Sequence, residues 1–183
     1  TRVRSSAASD VYKRQDIYLK SENLQKTGSF KVRGAYAKIA QLSAEQKKRG
    51  IIACSAGNHA QGVALSAQKS GIESTIFIPS TAPISKIEAT KSYGAHIRLV
   101  DGVYDDAYNE AVKFQKETGA EFIHPFDDIE VIAGQGTIAL EILEQLPEVE
   151  AIIVPIGGGG LISGIAYTCL LYTSDAADDL TRV

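Results

Sequence analysis

The chain has 183 residues, 44% of them hydrophobic, with 19 Lys and Arg against 22 Asp and Glu and a formal net charge of −3. That balance, without a basic run, argues against nucleic acid or an anionic membrane as partner, and no apolar stretch reaches the roughly 20 residues that a membrane-spanning helix needs. Two cysteines exclude a disulfide framework and suit a reducing cytoplasm.

The ends stand apart from the rest. Residues 1–15 (TRVRSSAASDVYKRQ) and 169–183 (CLLYTSDAADDLTRV) back-translate to one stretch of DNA read on opposite strands, shifted by one base. Agreement over that length marks both as non-native, adapter-like tails, outside fold reasoning. With no Met anywhere, the expected native insert is a fragment of about residues 16–168, cut at both sides, in which Cys54 is the one cysteine.

Within the insert, Asp16 to Lys20 alternates apolar and polar residues as a short strand. Thr27-Gly28-Ser29 forms a turn that opens a helix at Lys31, with Ala35, Ile39 and Leu42 as its apolar stripe. The positive end of the helix dipole disfavours a second positive charge there and lowers the lysine pKa. That suits an amine which must be neutral to attack a carbonyl. Glu45 to Arg49 reads as a charged surface segment. Three strand and helix units follow. Strand Ile51 to Cys54 runs into helix Asn58 to Ser70, closed by Gly71. Strand Ser74 to Ile78 runs into a helix opened by Pro83 and closed by Gly94, and strand His96 to Val100 into helix Tyr104 to Thr118, closed by Gly119. Such alternation predicts an α/β class, with parallel strands joined by right-handed crossovers. A strand at Phe122 to His124, a helix near Val131 to Gln145 and a buried-type strand Ala151 to Ile156 complete the insert. Gly134-Gln135-Gly136-Thr137 is expected to open or interrupt that helix, as close packing without assigned chemistry. Residues 51–128 form a smaller lobe inserted into a larger domain made of 16–50 and 129–168.

Two loops carry the chemistry beside Lys31. Ser55-Ala56-Gly57-Asn58-His59 leaves a strand and opens a helix whose Ala60, Ala64 and Ala67 allow close packing. Gly57 permits close approach of a ligand, and the consecutive amides at the helix start suit a carboxylate. The bland alternative makes Asn58 an N-cap and His59 a surface residue. Gly157-Gly158-Gly159-Gly160 lies between an apolar run and a helix start at Leu161-Ile162, where an α/β fold binds phosphate. It is neither a Walker loop nor the dinucleotide pattern. His96 and His124 have no metal-ligand company, so no metal is expected, and Cys54 packs as a small hydrophobe. A reactive amine, a carboxylate-holding turn and a phosphate cup together describe a pyridoxal 5'-phosphate enzyme.

The motifs SFKVRGA, SAGNHAQG, AGQGT and PIGGGGL, in that order, resemble the threonine dehydratase and serine racemase branch of the fold-type II pyridoxal phosphate enzymes, which are tryptophan synthase β-like. The resemblance covers about residues 16–168 and implies parallel sheets with helices on both faces, here truncated. It implies that Lys31 is covalently linked to the coenzyme and later acts as general base. Asn58 would hydrogen-bond the coenzyme's ring hydroxyl, while Gly157, Gly158, Gly159 and Gly160 with the Leu161 amide bind its phosphate. Ser55, Ala56, Gly57, Asn58 and His59 would hold the substrate carboxylate through backbone amides. Racemases of this branch carry a serine where Ala56 stands, and alanine has no proton to exchange, which favours β-elimination. The implied substrate is L-threonine, giving 2-oxobutanoate and ammonia, with L-serine second, and the implied full-length form is a cytoplasmic homo-oligomer. Serine racemase or serine dehydratase, a nucleotide-binding oxidoreductase and a non-catalytic fragment are the alternatives.

Overall fold

The computed structural model describes residues 2–4 and 16–180. Strand β1 (Arg2–Arg4) pairs antiparallel with β2 (Tyr18–Lys20), and a single 3-10 turn (Glu22–Leu24) leads to α1 (Lys31–Ala40). Ala35, Ile39 and Leu42 are all buried, as their spacing predicts. The charged surface segment after them forms a short helix, α2 (Ala44–Arg49), with no buried residue. Ser43 Oγ accepts from Gln46 N and Gln46 Oε1 accepts from Ser43 N, a reciprocal cap that supplies the helix start.

The strands β3 (Ile51–Cys54), β4 (Ser74–Pro79), β5 (His96–Val100) and β6 (Glu121–Phe122) form one parallel sheet in the order β5-β4-β3-β6. The connecting helices are α3 (Asn58–Ser70), α4 (Ile84–Lys91) and α5 (Tyr104–Thr118). Because strand side chains alternate in direction, Ile51, Ala53, Ile76 and Ile78 meet α1 and α3, whereas Ile52, Cys54 and Phe77 meet Ala107 and Ala111 of α5. Each fully buried isoleucine contributes about 2 kcal/mol. Cys54 is a buried packing residue, as expected, and burial pushes its thiol up to about 11. Strand β6 stops at Phe122, two residues short of the expectation, although Ile123 N still donates to Ile52 O at 2.8 Å.

Two further helices, α6 (Ile129–Gln145) and α7 (Gly160–Leu180), complete the chain. Gly134 to Thr137 neither opens nor interrupts α6. Asp128 caps its start, accepting from Glu130 N and Val131 N, and the glycines lie mid-helix where neighbours come too near for a side chain. A Cβ on Gly134 would stand 2.6 Å from Gly34 Cα of α1, and one on Gly136 would stand 2.9 Å from Gly164 O of α7. Helix α1 therefore lies between α3 and α6. Arg33 on α1 grips Glu22 and Glu141 through both edges of its guanidinium, and Lys20 also bonds Glu141, so β2, α1 and α6 share one ion-pair cluster.

Residues 151–156 are not the expected buried strand. They have no ladder partner among the described residues, and Ile153 is 98% exposed. Ile152 and Val154 pack on Ile138, Ala139 and Ile165, so the segment is covered on one side only. An apolar run records that burial is favourable, but a strand exists only where a neighbour receives its backbone hydrogen bonds.

Candidate active site

Lys31 is the first residue of α1, as its turn predicts. Gly28 has φ +70, Thr27 and Ser29 are buried, and Ser29 Oγ accepts from Lys31 N at 3.4 Å. The side chain is carried inward. Nζ donates to Pro125 O at 2.6 Å and lies 5.4 Å from the Phe30 ring centroid. Burial lowers the amine pKa, because the charged form loses water that one carbonyl does not replace. The sequence had assigned that direction to the helix dipole.

The same amine faces the polyglycine loop. Phe30, Lys31, Phe126, Pro155, Gly157, Gly158, Gly159, Gly160, Leu161 and Ile162 line one cavity of about 300 Å³, at the lower end of the usual range for small-molecule sites. Gly159 has φ +89, and α7 begins at Gly160. Its first intrahelical hydrogen bond runs from Ser163 N to Gly159 O, so the Gly160, Leu161 and Ile162 amides have no intrahelical acceptor. Such a helix start is an anion cradle. The bare backbone is required here: a Cβ on Gly158 would collide with the Phe126 ring, and one on Gly160 would stand 3.0 Å from Phe126 Cα.

The Ser55 to His59 loop does not line this cavity. It stands beside it through α3. A Cβ on Gly62 would lie 3.0 Å from both Lys31 C and Val32 N, so α3 touches the start of α1, and Asn58 sits one turn earlier on the same face. Asn58 is exposed and is the first residue of α3, with Gly57 rather than Asn58 as N-cap. Gly57 N donates to Ser55 Oγ at 3.2 Å, so that amide is partly engaged by its own loop. Ala56 packs on the main core. His59 is buried, not a surface residue: its Nε2 lies 2.8 Å from Ile123 O, and burial pushes its pKa down to about 4. The physical reason is that α3 is covered on every side here: each residue from His59 to Ala67 is buried, so the helix start has no solvent face for it.

Sequence reasoning passed over Pro125 and Phe126. No local pattern marks them, because their partners are distant in sequence. The one available signal was their place after a strand end that faces the lysine helix, where α/β folds put binding loops. His124, which its sequence context set apart only as lacking metal-ligand company, also borders the site. Its Nδ1 accepts from Asp127 N at 2.8 Å, its ring meets Phe126 edge-on at 4.9 Å, and burial lowers its pKa. His96 is exposed on β5, away from these groups. Among the described residues no cluster of His, Cys, Asp or Glu could hold a metal, and no helix is long and apolar enough to cross a membrane.

Residues 2–175 match the family described as pyridoxal-phosphate dependent enzyme. The L-threonine ammonia-lyase of Thermotoga maritima is 62% identical over 151 residues, covering 82% of this chain and 38% of that protein. The catabolic L-threonine dehydratase TdcB of Staphylococcus aureus is 52% identical over 164 residues, covering 90% and 47%. The chain thus spans less than half the length of these curated relatives. Among solved structures, maize serine racemase superposes with a TM-score of 0.86 at 46% identity, covering 91% of this chain and 51% of that one. The processed form of threonine deaminase isoform 2 from Solanum lycopersicum gives 0.80 at 44% identity, covering 82% and 42%.

Proposed function

The chain belongs to the family of pyridoxal-phosphate dependent enzymes, and from that premise we propose that it is the lysine-bearing part of an L-threonine ammonia-lyase, converting L-threonine to 2-oxobutanoate and ammonia, with L-serine as second substrate. The observation that carries this reading is the single cavity shared by the Lys31 amine and the polyglycine loop. Amine and anion cradle fit an aldehyde that bears a phosphate. In this reading Gly157, Gly158, Gly159 and Gly160 with the Leu161 amide hold the phosphate, and Asn58 holds the ring hydroxyl. The backbone of Ser55, Ala56, Gly57, Asn58 and His59 grips the substrate carboxylate.

When bound, pyridoxal phosphate supplies an electron sink for the negative charge left at the substrate Cα. The chain's own residues do the rest. Burial favours the neutral form of the Lys31 amine, which can both bond the coenzyme and take the Cα proton as general base. The Pro125 carbonyl holds that amine at the cavity wall between proton transfers. Phe126 closes the floor beneath the glycines and excludes water. Loss of the Cα proton and the β-hydroxyl leaves an enamine that tautomerises and hydrolyses to the 2-oxo acid and ammonia. Ala56 offers no hydroxyl to return a proton from the opposite side, so elimination is favoured over racemisation even though a serine racemase superposes well.

Under the same reading, residues 16–50 and 129–168 belong to the cofactor domain and 51–128 to the smaller lobe, residues 1–15 and 169–183 are adapter-derived, and the whole enzyme is a cytoplasmic homo-oligomer. Mixing the chain with pyridoxal phosphate, reducing with borohydride and mapping the peptides tests the site: the coenzyme should be fixed on Lys31. Lys31→Ala in the full-length enzyme should abolish turnover, and retained turnover would defeat the assignment.

A further inference from the structure

His59 is 3% exposed, and its single hydrogen bond runs to the Ile123 carbonyl at 2.8 Å. A carbonyl only accepts, so Nε2 carries the proton, and Nδ1 is left buried without a partner among the described residues. Such an orphan acceptor costs stability that an apolar side chain would not. What the imidazole contributes therefore lies in the segment it holds. Ile123 extends the β6 ladder through Ile52 O, and two residues later the Pro125 carbonyl receives the Lys31 amine at 2.6 Å. Phe126 comes next and underlies Gly158 and Gly160. His124 Nδ1 accepts from Phe126 N and Asp127 N, which stiffens the turn. The stretch 123–127 is thus a strut, gripped by α3 at one carbonyl and by the lysine at another, with the glycine loop resting on its ring.

We propose that His59 is a positioning residue for Lys31: by holding the Ile123 carbonyl it sets the Pro125 carbonyl that parks the lysine amine in the cavity. The proposal rests on the reading of Lys31 as the reactive amine of the site.

Competitive labelling of the 183-residue chain with trace acetic anhydride, read by peptide mass spectrometry, reports every lysine in one sample. In His59→Leu, Lys31 should label about five-fold faster relative to exposed Lys48, the factor of one ordinary hydrogen bond. Lys38 lies on the same helix but is held by Asp128 and Glu130, and its rate should not change. His59→Gln, whose amide can again donate to Ile123 O, should return Lys31 to the wild-type rate. Should the leucine chain fail to fold, His59→Asn, too short to reach Ile123, should show the same acceleration. An unchanged Lys31 rate in the folded variant, a joint rise of Lys31 and Lys38, or no rescue by glutamine overturns the proposal. Borohydride reduction of wild-type chain with pyridoxal phosphate separates the two readings: label on another lysine defeats the role of Lys31 and leaves the labelling result standing.

Discussion

Gly62→Ala sets two known effects against each other at the contact between α3 and the lysine helix. Replacing glycine by alanine inside a helix ordinarily stabilises it by about 1 kcal/mol. Here the new Cβ would stand 3.0 Å from Lys31 C and Val32 N and 3.1 Å from Lys31 O. These are backbone atoms and cannot swing aside, so α1 as a whole must move, and overpacking of this kind costs about 1–3 kcal/mol. The expected balance is a net loss of about 1 kcal/mol, or about 2–4 °C in Tm for a chain of this size. Urea unfolding is the direct assay, read as a lower midpoint with an unchanged slope. Since the atoms displaced belong to Lys31 and its neighbour, loading of pyridoxal phosphate on Lys31 should weaken in the same variant. A midpoint at or above that of the wild type would refute the reasoning, because it would mean that the helices separate at no cost and propensity prevails.

Acid should act in two windows. The folded value of His59, about 4, lies below its ordinary 6.5, so the unfolded chain takes up the proton first and stability falls as pH drops from 6.5 towards 4. His59→Gln should flatten that part of the urea midpoint against pH. Glu141 is held down to about 2 by hydrogen bonds from Arg33 and then Lys20, so its contribution is present above its ordinary 4.5 and lost as pH falls towards 2. Glu141→Gln should narrow that lower window to the part left by Asp128, whose carboxyl is also held below its ordinary value, and leave the upper one. Cys54, buried and pushed up to about 11, should resist iodoacetamide in the folded chain and react once unfolded in urea; rapid native alkylation would contradict its burial. Phe126→Ala should weaken pyridoxal phosphate binding about ten-fold by opening the cavity floor, as for loss of a partly exposed ring worth about 1.4 kcal/mol at a site edge, and unchanged affinity would remove the ring from the site.

Much of this molecule is written in short-range pattern. The glycines after Ser70 and Thr118 and the alternation of short strands with helices place α3, α5 and β3 to β5 at or within a residue of their observed bounds, and the lysine turn places the start of α1, whose end at Ala40 leaves Leu42 of the expected stripe just outside the helix. Caps and apolar periods act within a turn or two of helix, so one local stretch contains the whole signal. The lysine turn and the polyglycine loop were legible for the same reason, since a residue type at an element's end is itself the chemistry. Tertiary structure alone decided that residues 151–156 remain unpaired, that the glycines of α6 serve helix contacts rather than a break, and that His59 turns inward. It also decided that Pro125 and Phe126 meet Lys31 and the glycine loop. Each of these depends on what lies across a gap from a residue far along the chain, and a hydrogen bond spanning 94 positions leaves no period for a sequence to display.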